Sequence, residues 1–116
     1  MHRRTILALT TYLLAACAVR SVPTPPTPTF VYVYSDNESL ERVRAIVDRL
    51  VSTYSPCITA IEANYSTAEG RQVAHTYGVK SHPVVMVIAA DGRVVVRVNG
   101  VPDADALVDA LDGVCT

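Results

Sequence analysis

The chain has no tryptophan, one phenylalanine and five glycines in 116 residues. The glycines are scattered, so no glycine-rich loop is present to cradle a phosphate. Basic residues have no surplus. Ten Lys and Arg stand against eleven Asp and Glu, which leaves no electrostatic footprint for nucleic acid. No order of Ser, His and Asp marks a nucleophilic triad. Acidic residues are missing before Phe30, and cysteine is missing between Cys17 and Cys57. What remains is half hydrophobic and 18% charged, which excludes disorder throughout. The length allows one domain at most.

The two absences divide the chain. Before Phe30 the charged residues are Arg3, Arg4 and Arg20; from Phe30 onward seven basic and eleven acidic side chains give a formal charge of −4. Met1 to Arg4 form a short positive region, and Thr5 to Ala16 an apolar one, the layout of a secretory signal over residues 1–16. Leu14-Ala15-Ala16-Cys17 resembles the bacterial lipobox. In that family the Cys sulfur takes a diacylglycerol and cleavage before it makes it the first mature residue. Cys17 is therefore the expected lipidation site, and acyl chains there would anchor the protein stably. An uncleaved membrane anchor and plain secretion are the alternatives. The apolar-compatible stretch of about 15 residues makes roughly 22 Å of helix, against ~30 Å of bilayer core.

Residues 17–29 hold the lipid acceptor and a Pro/Thr-rich tether, with four of the seven prolines between Pro23 and Pro28. Such a stretch cannot be helix or central strand. It predicts a stiff, extended spacer of roughly 35 Å. Residues 30–116 are the folded body. Phe30 to Tyr34 are β-branched or aromatic and predict a strand. Ser35 and Glu38 fit a capping box, and Leu40, Val43, Ile46, Val47, Leu50, Val51 and Tyr54 recur at helical spacing. Ile58 to Tyr65 predict a second strand, then Ser66 and Glu69 a second capping box, with Gly78 ending that helix. Val84 to Ile88 predict a buried strand. Asp91-Gly92 predicts a hairpin turn, and the strand returns through Val94, Val96 and Val98. Asp103 caps a last helix that turns Leu107, Val108 and Leu111 inward. The order β-α-β-α-β-β-α implies an α/β domain, a four-stranded mixed sheet flanked by helices. The group Arg42, Arg44 and Arg49, interleaved with acids, reads as a solvated face.

The run Tyr77-Gly78-Val79-Lys80-Ser81-His82-Pro83-Val84, then Asp91-Gly92, Gly100 and the last helix, resembles the thioredoxin-like family. The order is that of the family's fold without its first strand and helix. The resemblance covers nearly all of 30–116. It implies that Pro83 follows a cis peptide bond and that His82 offers its backbone to an extended partner chain. It also brings the end of the first strand beside this loop, so Asp36, Asn37, His82 and Pro83 form the expected protein-binding edge. The departure is large. Where the family has its Cys-x-x-Cys motif, Asn37-Glu38-Ser39-Leu40 stands here. Thiol–disulfide exchange needs an accessible, activated thiolate, and this helix start has none.

By the same resemblance Cys57 and Cys115 lie at one end of the sheet, opposite the Pro83 loop. An even pair in an exported domain suggests a structural disulfide; two buried thiols or a redox-active pair are the alternatives. His82 lies within reach of Asp36 or Glu38 in such a fold. Either this is a polar contact at a binding edge or it is a metal or acid–base site, for which one His and two carboxylates are a poor constellation. The expectation is a membrane-anchored, redox-inactive lipoprotein of the bacterial cell membrane, facing the extracytoplasmic side. It would act as a protein-binding accessory subunit of a membrane complex, an electron-transfer assembly being one case, with no cofactor. The alternatives are a thiol–disulfide oxidoreductase or assembly factor using Cys57 and Cys115, and a metal- or solute-binding protein around His82 and Asp36.

Overall fold

The computed structural model describes residues 26–36 and 41–116. The signal segment, Cys17, the tether up to residue 25, Asn37, Glu38 and Leu40 lie outside the described residues. The elements run β1 (Thr29–Tyr34), α1 (Glu41–Tyr54), β2 (Thr59–Asn64), α2 (Ala68–Thr76), β3 (Val84–Ile88), β4 (Val94–Asn99) and α3 (Ala104–Val114). β1 begins one residue ahead of Phe30, and Thr59 N–H donates to the Pro28 carbonyl at 2.9 Å. The last residues before the body are therefore already tied to the sheet.

The sheet order is β2-β1-β3-β4. β1 and β2 are parallel, from Thr29 opposite Thr59 to Tyr34 opposite Asn64. β3 runs antiparallel to β1, and β4 to β3. The two central strands are the two continuous apolar runs, because residues on both their faces are buried. Phe30, Tyr32, Val85 and Val87 face one core with Val43, Val47 and Leu50 of α1 and Leu107, Ala110 and Leu111 of α3. Val31, Val33, Val84 and Met86 face the other, with Ala74 and Val79. Fully burying Leu107 or Leu111 contributes about 1.5–3 kcal/mol each. Opposite the step from Val87 to Ile88, β4 carries one extra residue, Val95. This bulge breaks the alternation, and Val94 is 50% exposed.

The cap of α2 differs from expectation. Ser66 and Glu69 do not form the capping box; Thr67 is the N-cap, its hydroxyl accepting from Gly70 N–H at 2.9 Å. The reason is that Ser66 Oγ is engaged with the end of β1. At the other terminus Gly78 N–H donates to His75 O and Val79 N–H to Ala74 O. This paired closure needs a left-handed residue, and Gly78 has φ of +73°. Asp103 caps α3 by accepting from Asp105 N–H. Among the described residues no helix is long and apolar enough to cross a membrane.

Candidate functional site

The ends of β1 and β2 and the start of β3 meet at one end of the sheet, by their register. Beyond β1, Asp36 is fixed from two sides. Its N–H donates to Ser66 Oγ at 2.9 Å, and its Oδ1 accepts from Asn64 Nδ2 at 2.7 Å. Asn64 Oδ1 accepts from Ser66 N–H at 2.9 Å, and the Ser35 and Ser66 hydroxyls lie 3.0 Å apart. Tyr65 N–H donates to Tyr34 O, which carries the parallel ladder one step past the strands. This latch holds the loops after β1 and β2 together.

The His82–Pro83 peptide is cis, and Pro83 O accepts from Gly100 N–H at 2.9 Å. The His82 ring lies 5.3 Å from that of Tyr65, centroid to centroid. The Tyr65 hydroxyl is hydrogen-bonded to His75 Nε2 at 3.1 Å, and Arg71 donates to the Tyr65 carbonyl at 3.1 Å. Arg71 and His75 are one turn apart on α2, so both reach the same residue. Of the expected edge, the structure thus sets Asp36 among Asn64 and Ser66, and His82 against Tyr65. Asn37 lies outside the described residues. Tyr65, Ser66 and Arg71 were not expected here. A Tyr directly after a strand of alternating burial is the only sequence signal for the first.

The cysteines sit elsewhere. Cys57 and Cys115 are joined in a disulfide, with Cα atoms 5.8 Å apart. Cys57 follows α1, its N–H on Tyr54 O, and Cys115 caps α3, its N–H on Leu111 O. Both lie beside the start of β2, opposite the Pro83 end. A helix C-terminus is the negative end of the helix dipole, so each would disfavour a thiolate. Beside the bridge the Tyr54 hydroxyl donates to Asp112 Oδ1 at 2.5 Å. That bond raises the phenol's pKa above the usual 10, assisted by burial and by the charges of Asp112 and Asp109.

Of the three arginines of α1, Arg42 and Arg49 are exposed, and Arg44 is half-buried at the edge of the sheet. It bonds Glu62 of β2 at 2.9 Å and Asp48 at 3.4 Å, and its guanidinium lies 4.9 and 5.0 Å over the rings of Tyr32 and Tyr34. The pairing depends on the β1–β2 register. Among the described residues no three His, Cys, Asp or Glu are grouped to hold a metal ion.

The fold is similar to several solved structures. One is described as a malarial protein, 15% identical, with 78% of this chain and 99% of that chain covered at a TM-score of 0.62. Another is a mutant thioredoxin from Halobacterium salinarum NRC-1, 23% identical, covering 78% and 77% at 0.62. A third is MTB DsbF in its mixed oxidized and reduced forms, 14% identical, covering 77% and 81% at 0.63. No protein-family model matches the sequence, and no curated protein matches it. The element order, the sheet order and these likenesses agree on one architecture: the chain has an α/β thioredoxin-like fold, among the described residues a four-stranded mixed sheet flanked by three helices.

Proposed function

We propose that the protein is a lipid-anchored, redox-inactive thioredoxin-like module that docks an extended segment of another protein. The partner is an extracytoplasmic part of a membrane complex, which the module serves as an accessory subunit. The observation that carries this reading is the division of the two sheet ends. The end where Asp36, Tyr65, Ser66, His82 and Pro83 gather is polar and aromatic and, among the described residues, has no thiol. The two cysteines of the body are joined to each other at the opposite end. A fold can keep a binding surface while lacking a nucleophile, and function follows from the site rather than the fold. The lipobox-like Leu14-Ala15-Ala16-Cys17 and the Pro/Thr tether support the membrane attachment.

Gentle detergent extraction from native membranes, followed by pull-down and partner identification, tests the reading. A stoichiometric membrane-protein partner that His82→Ala weakens is the expected result. A protein that migrates alone, with no partner retained, overturns it. The oxidoreductase alternative makes its own forecast: insulin reduction that vanishes in Cys57→Ser. The expected result is no such activity in either form.

A further inference from the structure

The tether enters the body at a fixed point. Thr27 Oγ1 lies 3.0 Å from Thr59 Oγ1, and the carbonyl of buried Pro28 accepts from Thr59 N–H at 2.9 Å. Thr29 opens β1 and Thr59 opens β2, and the two strands are parallel. The chain therefore arrives at the foot of both strands. Thr59 follows Cys57 by two residues, so this foot is also the end closed by the Cys57–Cys115 bridge. From there β1 runs six residues to Tyr34, about 20 Å of strand. The Pro83 loop lies at its far end, since Val33 stands opposite Val84. The point of entry and the docking edge are thus at opposite ends of the sheet.

We infer that the body stands with its Cys57–Cys115 end toward the bilayer and its docking edge away from it, and so meets a segment of a membrane protein that projects above the lipid headgroups. The inference rests on the lipid-anchored docking function proposed above and adds the direction of the edge and the place of the partner's segment. Ten residue steps separate Cys17 from Thr27, a reach of at most about 35 Å. With the tether leading straight away from the lipid, the edge stands up to about 55 Å above the attachment point. With the body inverted, the tether first runs back along ~20 Å of strand, which leaves about 15 Å between the edge and the lipid. The loops beyond the strand ends take up part of that gap, and a single packed layer of protein needs about 10 Å. A folded partner has room only in the first arrangement. The body from Phe30 onward has a formal charge of −4, so an anionic leaflet repels it and does not hold it flat.

The test uses the full lipidated chain with a dye placed, through an azide-bearing residue, at exposed Ser55, two residues before Cys57, or at exposed Lys80, three residues before Pro83. The chain is bound to vesicles of phosphatidylethanolamine and phosphatidylglycerol that contain a rhodamine-headgroup lipid. Energy transfer to the rhodamine should be at least twofold greater from Ser55 than from Lys80. Equal transfer from the two positions, or more from Lys80, overturns the inference. A photo-crosslinker at the same two positions in native membranes reads the partner. Lys80 should capture a membrane protein at least fivefold more than Ser55 does, and equal or reversed capture overturns the inference as well. A chain that does not stay on the vesicles removes the lipid anchor and the inference with it. Transfer in the expected order with no protein captured at either position upholds the direction of the body and overturns the partner's place together with the docking function.

Discussion

At Gly70 one hydrogen atom lets α2 lie directly on the end of β2. A Cβ built there would overlap the Asn64 carbonyl oxygen and lie 2.5 Å from its carbon. Those are backbone atoms of the residue that holds Asp36, so the neighbour cannot swing away. The approach also seats the N–H of Gly70 on the Thr67 hydroxyl. In an open helix interior Ala would be favoured over Gly by about 1 kcal/mol. Overpacking costs about 1–3 kcal/mol, and a contact this short against backbone belongs at the upper end. Gly70→Ala should therefore lose roughly 2 kcal/mol net, or about 8–16 °C of melting temperature for a body this size. Thermal unfolding measures the loss, and amide shifts at Asp36 and Ser66 should accompany it. A variant as stable as the parent would show that α2 does not lie this close. The sequence held a signal, a glycine inside a helical pattern, but its cause is the packing of α2 on β2, which periodicity does not encode.

Single elements were legible where their own residues decide them. The apolar runs of β1 and β3, the spacing along α1, the Gly78 closure and the Asp103 cap all follow from local chemistry. What was not legible depends on which element lies beside which. Ser66 loses its cap role to Thr67 because the end of β1 takes its hydroxyl. Arg44 gains partners beyond its own helix because the register sets Glu62 and two tyrosine rings beside it. The same holds for the pair that joins α1 to α3. Tyr54 ends one helix, and Asp112 lies in the last turn of the other. The hydrogen bond to Asp112, then burial, then the charges of Asp112 and Asp109 favour the neutral phenol in the fold. A raised folded pKa means that this stabilisation is whole below the unfolded value near 10. It is lost as pH climbs through the higher folded value. NMR titration of the Tyr54 ring should place its ionisation above that of an exposed tyrosine, and Asp112→Asn should return it toward 10. An unchanged ionisation in that variant would mean that the α1–α3 bond is absent in solution.

Across the whole molecule the sheet separates what is fixed from what is offered. At one end the C-termini of α1 and α3 are tied twice, by Cys57–Cys115 and by Tyr54–Asp112. At the other, the loops after β1 and β2 and the residues before β3 present Asp36, Tyr65, Ser66 and His82. The fold class could be read because the strand and helix periods alternate along the chain. The cysteine pairing came through the family resemblance, since two cysteines alone do not reveal that their elements end side by side. The grouping of Arg71, His75 and His82 about Tyr65 could not be read, because they meet only once α2 and the Pro83 loop are folded against each other. The bridge closes a sequence separation of 58 residues, and a loop of that order is worth about 2–4 kcal/mol, chiefly through the unfolded chain. If it is a staple, Cys57→Ser should lower stability by that amount in denaturant unfolding. The same loss should appear in the parent protein after full reduction, with partner docking at the Tyr65 end unchanged when measured well below the transition. If the pair is instead a reaction centre, mild dithiol would reduce it in the native state and insulin reduction would follow. The position of both sulfurs at helix C-termini argues for the first outcome, because the thiolate needed to enter exchange is the form those dipoles disfavour.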